Sequence, residues 1–169
     1  TSLIPFTDHS HMYIWQMQIN NDTIIGRTWQ EFESLVSQLN NLPYTILVWV
    51  ANLGFEFQFL MKRFEISNLF AKEKRQPLKF NISNLEFRDA LAISGGSLDQ
   101  LANDYTTTKK LVGELDYNIL RNSKTELSPS DELQYCINDV VILKEFSEFL
   151  WATYIDKGFI PITKTSILR

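Results

Sequence analysis

Tyr135-Cys136-Ile137-Asn138-Asp139 sets a phenol and a carboxylate four residues apart in an apolar-patterned segment. On a helix that spacing puts both side chains on one face, one turn apart. A carboxylate can hold a divalent cation on a phosphate, and a neighbouring Tyr hydroxyl can orient the attacking water or the scissile phosphate. The pair therefore suits metal-assisted phosphodiester cleavage. By itself the step equally describes the polar edge of an ordinary helix. A second group, Asn52-Leu53-Gly54-Phe55-Glu56, joins an amide, an aromatic ring and a carboxylate. Asn52 can hydrogen-bond a phosphate or sugar, and Phe55 can stack on a base. The structural alternative is a turn amide capping a helix, with Phe55 in the core and Glu56 favoured at the helix amino end.

The elements that must position these residues follow from periodicity. Residues 12–19 and 22–26 read as a β-hairpin. Thr28-Trp29-Gln30-Glu31 has the form of a capping box, and Trp29, Phe32, Leu35, Val36 and Leu39 recur at helical spacing until Pro43. Residues 44–50 are β-branched and almost wholly apolar, the composition of a central strand covered on both faces. Phe55, Phe59, Leu60 and Phe64 then repeat at helical intervals, so Asn52-Leu53-Gly54 marks a strand-to-helix corner, a place that ligands favour in α/β sheets. Residues 72–76 form a charged loop or hairpin tip, and 78–82 and 85–91 read as strands. Ser97 caps a short helix carrying Leu98, Leu101 and Ala102. The polar stretch with Thr106-Thr107-Thr108, Lys109-Lys110 and Asp116-Tyr117 reads as an irregular, substrate-facing loop. Ser128-Pro129-Ser130-Asp131 opens the longest helix, which runs towards Gly158. The fold class is α/β, and the order of elements suits a ribonuclease H-like layer fold, a mixed sheet flanked by helices.

Bulk properties bound the rest. At 169 residues, 44% hydrophobic and 13% aromatic, the chain can build one well-buried core but not two ordinary domains. A net charge of −4 argues against binding nucleic acid through bulk positive potential. It leaves open a nuclease that concentrates carboxylates around cations, assisted locally by Lys62, Arg63, Lys109 and Lys110. The longest apolar stretch, residues 46–50, falls far short of a bilayer span and no charged-then-apolar leader precedes it. The expectation is a soluble, cytoplasmic protein with no membrane partner. A single cysteine, Cys136, suits a packed thiol in a reducing compartment.

In order and context the motifs resemble the exonuclease domain of protein-primed family B DNA polymerases of bacteriophages and mobile elements, from about residue 10 to the end. Asn52-Leu53-Gly54-Phe55-Glu56 resembles that family's second exonuclease motif, Asn-x-x-Phe-Asp, and Tyr135 to Asp139 its third, Tyr-x-x-x-Asp. Asp89-Ala90-Leu91 stands where the family has a Ser/Thr-Leu single-strand-binding step, and Tyr117 where it has a tyrosine contacting the primer end. The resemblance implies 3′-5′ removal of mismatched nucleotides by two divalent cations, Mg²⁺ or Mn²⁺. Carried over by position, Glu56 and Asp139 would ligate metal and Tyr135 would position the nucleophile. Asn52, Phe55, Leu91 and Tyr117 would hold a single-stranded 3′ end, stacking contributing roughly 1–3 kcal/mol per base. Implied partners are primer-template DNA and a terminal protein primer. Residues 1–158 would be the exonuclease-like domain, and 159–169 an exit towards a polymerase domain.

The sequence departs from that family in four ways. Its first motif, Asp-x-Glu, has no counterpart, since Asp8 lies in a turn-like run with His9 and His11, which are solvated loop residues rather than ligands for magnesium. Glu56 replaces an Asp, Ala90 a hydroxyl residue, and Val112 a lysine, with Lys109 and Lys110 displaced by two or three positions. These departures imply weakened proofreading and open an alternative, a catalytically decayed module that binds single-stranded DNA or braces a partner.

Overall fold

The structure, a computed structural model, describes residues 2–3, 10–74, 76–112 and 121–164. Two short strands, β1 (Ser2–Leu3) and β2 (Ser10–His11), pair antiparallel, and β3 (Trp15–Ile19) and β4 (Asp22–Gly26) form the hairpin expected at residues 12–26. Thr28 then opens α1 (Trp29–Asn40) with the reciprocal capping box: its hydroxyl accepts from the Glu31 amide while Glu31 accepts from the Thr28 amide. The main sheet has the order β5 (Ile46–Val50), β8 (Leu85–Asp89), β7 (Gln76–Ile82), β6 (Ser67–Glu73), with β5 and β8 parallel and the other pairs antiparallel. It is mixed, in an α/β chain.

Period-two alternation gives the sheet two faces. Val48 of β5, Leu85 and Phe87 of β8, and Phe80 and Ile82 of β7 pack on one side with Trp15, with Phe32 and Val36 of α1, and with Leu53 and Leu60 of α2 (Leu53–Leu60). On the other side Trp49 joins a core built from α3 (Ala90–Ser94), α4 (Leu98–Tyr105) and α5 (Gln134–Tyr154). Strand β5 is thus covered on both faces, as its composition demands. It is not central: among the described residues β8 is its only neighbour.

Two other expectations are corrected, and one strand went unforeseen. The strand foreseen at 85–91 stops at Asp89, because that side chain accepts the Leu91 and Ala92 amides and starts α3. Helix α2 ends at Leu60, so Phe64 lies beyond it. Strand β6 gave no periodic signal because all seven of its residues are exposed.

Helix α5 begins after a π turn, Pro129–Leu133, and continues past Tyr154 into a 3-10 turn, Ile155–Lys157, which Gly158 ends with a positive φ of 73°. Beyond it the chain turns back on the sheet. Arg88 donates to the Ile160 carbonyl at 2.8 Å while its guanidinium lies 5.7 Å from the Trp49 ring centre, and Pro161 is fully buried. No helix among the described residues is long and apolar enough to cross a membrane.

Candidate functional site

Tyr135 and Asp139 stand one turn apart on the first turns of α5, and a third residue joins them. Lys110 Nζ donates to the Tyr135 hydroxyl at 2.8 Å and to both Asp139 oxygens at 2.8 and 3.2 Å, and lies 4.3 Å from the Tyr135 ring centre. The lysine that the sequence left two positions out of register is therefore the one in the cluster, while Val112 is fully exposed.

Lys110 sits on a segment without regular structure, and α5 itself supplies what fixes it. Asn138 is buried; its amide oxygen accepts the Leu111 N–H at 3.2 Å and its NH₂ donates to the Lys109 carbonyl at 3.1 Å, pinning the backbone on either side of Lys110. Seven residues on, and so on the same helix face, Glu145 accepts the Thr107 and Thr108 amides at 2.8 and 3.0 Å. Lys109 instead donates to the Ala102, Asn103 and Thr106 carbonyls and closes the end of α4.

The electrostatics of the pair are asymmetric. Burial raises the Asp139 carboxyl above its usual range, and Lys110 opposes this without cancelling it. Burial alone would lower Lys110, but Asp139 and Tyr135 outweigh it and hold the ammonium firmly charged. Both side chains are about four-fifths shielded, at 22% and 23% exposure, so desolvation costs the carboxylate more than one ammonium returns. The Cys136 thiol, buried against Tyr13 and Ile14, is pushed up by burial and by Asp139, as befits a packed rather than reactive thiol.

Asn52 and Phe55 stand at the carboxyl ends of the parallel strands. Asn52 occupies the N-cap position of α2 in the left-handed conformation, φ 61°, and its side chain makes no capping bond. The cap comes from Asp89 instead. One oxygen accepts the Leu91 and Ala92 amides at 2.8 and 3.3 Å and the other the Leu53 amide at 3.2 Å, so a single carboxylate closes two helix ends. Burial nonetheless leaves it above its usual range, the three amides opposing. Asn52, Phe55 and Asp89 line a groove of about 830 Å³ with Phe70, Lys72 and Lys164.

Glu56 is partly buried and does not line this groove; burial raises its carboxyl, and it forms no hydrogen bond or ion pair among the described residues. Leu91 packs partly against the α3–α5 core. Tyr117, Asp8 and His9 lie outside the described residues. His11 lies within hydrogen-bonding distance of the Arg121 carbonyl, 2.6 Å away.

The donor chemistry can be tested against a divalent cation. Among the described residues no three His, Cys, Asp or Glu side chains converge as ligands, and Asp139 faces an ammonium. Those side chains alone do not make a two-cation centre. What the cluster offers a phosphate is two donors, the Lys110 ammonium and the Tyr135 hydroxyl, beside one carboxylate.

Sequence reasoning named Asn138 and Asp89 but missed their roles, the one pinning the backbone around Lys110 and the other capping two helices. An amide inside an otherwise apolar helix, and an Asp followed by apolar residues at a strand end, were the signals.

No protein-family model matches the chain, and no curated protein matches it. Its backbone is similar to solved structures of Phi29 DNA polymerase. The complex of that enzyme with single-stranded DNA gives a TM-score of 0.64 at 19% identity, covering 89% of this chain. The complex with primer-template DNA gives 0.64 at 20%, and an orthorhombic crystal form 0.66 at 17%. The chain spans 29% of that polymerase's length. The likeness is one of fold.

Proposed function

We propose that this chain is the 3′-5′ exonuclease domain of a protein-primed family B DNA polymerase, of ribonuclease H-like architecture, acting at a single-stranded 3′ end. Residues 1–158 are read as that domain and 159–169 as the passage towards a polymerase domain. The backbone likeness to Phi29 DNA polymerase over 89% of the chain carries the reading. The Tyr135–Lys110–Asp139 cluster supports it, because the two residues that resemble the third motif meet around one ammonium.

In this reading the groove at the carboxyl ends of β5 and β8 holds the frayed end, with Asn52 on the backbone and Phe55 stacked on a base. Tyr117 and Leu91 extend that grip. Tyr135 and Lys110 orient the terminal phosphate and its attacking water. Glu56 and Asp139 are the proposed ligands for Mg²⁺ or Mn²⁺, and a complete centre requires carboxylates beyond those described. Primer-template DNA and a terminal protein are the proposed partners, in the cytoplasm of a bacterial or phage-infected cell.

A specific observation favours the second reading, a decayed module that binds single-stranded DNA or braces a partner. Lys110 already neutralises Asp139, and no three ligands converge among the described residues. One assay separates the two: Mn²⁺-dependent shortening of a 5′-labelled single strand by the chain carrying its native upstream residues, with Asp139→Ala as control. Shortening lost in the variant supports the exonuclease. Strand binding without shortening supports the decayed module.

A further inference from the structure

The groove beside α2 holds more than the sequence motif supplies. The β6–β7 hairpin contributes Phe70 and Lys72 to its lining, and the returning tail contributes Lys164. None of these residues belongs to the Asn52–Glu56 motif.

Phe70 is 51% exposed on an outer strand, and no aromatic ring among the described residues contacts it. The β6–β7 register shifts on both sides of it, between Ser67 and Phe70 and between Phe70 and Ala71. Such bulges re-aim a side chain and tend to occur beside functional sites. Phe55, 39% exposed, lines the same groove from α2. Two aromatic rings thus line one groove.

The charges are one-sided. Lys72 and Lys164 form no ion pair among the described residues, and the carboxylate in the lining, Asp89, spends both oxygens on backbone amides. The Lys164 stem crosses Gly95 so closely that a Cβ there would meet its Cδ at 2.7 Å. Asn52, Gln58 and Gln76 add neutral donors and acceptors. Stacking rings, unpaired cations and amides, at the carboxyl ends of parallel strands, match a single-stranded nucleic acid, whose bases need ring faces and whose phosphates need cations.

We infer that this groove is an extended single-stranded DNA subsite, in which Phe70 stacks on a second base and Lys72 and Lys164 meet flanking phosphates. The inference rests on the function proposed above and adds a path for nucleotides upstream of the terminal one. Phe70 and Lys72 act in binding only.

The test is fluorescence anisotropy of a labelled oligothymidylate in EDTA, where binding is read without cleavage. Phe70→Ala, Lys72→Ala and Phe55→Ala are compared with the unaltered chain after circular dichroism confirms folding. Phe70→Ala should weaken binding roughly 5- to 150-fold, the loss of one stacked base. Lys72→Ala should reduce the salt slope by about 0.7, one phosphate contact on a single strand. Wild-type binding by Phe70→Ala and Lys72→Ala, alongside weakened binding by Phe55→Ala, overturns the extended path and leaves the proposed function standing. No binding by the unaltered chain overturns the subsite outright, and the shortening assay then judges the exonuclease separately.

Discussion

Asp89 closes two helices at once, and its removal should be felt in both. In Asp89→Ala, α3 loses its N-cap, which costs about 1 kcal/mol. The Leu53 amide loses its acceptor as well. Leu53 is fully buried, so water does not replace the bond, and an orphaned buried N–H costs about 1–3 kcal/mol. Together the loss is about 2–4 kcal/mol, or roughly 10 °C in Tm for a chain of this size. Asp89→Asn divides the effect. Whichever way the amide is turned, one helix end still meets an oxygen and the other meets an NH₂, so about half the loss remains. Urea denaturation of the three proteins, with unchanged m-values, gives both numbers. Because Asp89 sets the first turn of α2, Asp89→Asn should also weaken single-strand binding through Asn52 and Phe55. If Asp89→Asn is as stable as the unaltered protein, or Asp89→Ala no worse than Asp89→Asn, then the shared carboxylate is not what joins α2 to α3.

Asn138→Ala removes two hydrogen bonds to half-exposed backbone and should cost about 1–2 kcal/mol, with the Leu111 amide exchanging faster in hydrogen-exchange measurements; unchanged exchange would contradict the pin. Glu145 is pushed up by burial but held below the usual carboxylate range by the Thr108 hydroxyl and the two amides, so its contribution is complete above that range and is lost as pH falls through the lowered value. Glu145→Gln should therefore be less stable at neutral pH and converge with the unaltered protein in acid; curves that stay parallel through the acid limb would rule this out. Cys136 should resist a thiol reagent in the native state and react freely in urea, and rapid native reaction would show that the first turns of α5 open readily.

Local signals in the sequence proved reliable where one residue answers to its neighbours. The capping box at Thr28 and Glu31, the hairpin ending at Gly26 and the helical stripe of α5 were all legible, because caps and periodicity depend on residues within a turn or two. The Tyr135–Asp139 spacing was legible for the same reason: four residues on a helix are neighbours in any fold. Strand β6 was not, since its side chains face solvent and nothing in its pattern marks an edge.

The sites were settled by contacts between residues far apart in the chain. Lys110 meets Asp139 across 29 positions, and Asp89 meets Leu53 across 36. Counting from a motif placed the lysine at Val112, but reach is set by where Asn138 and Glu145 pin the intervening backbone. The sequence by itself therefore determined most of the helices and strands and which side chains share a turn. Only the tertiary structure decided which cation faces Asp139, which carboxylate caps α2 and which rings line one groove, because those depend on the packing of elements against each other and no local propensity encodes it.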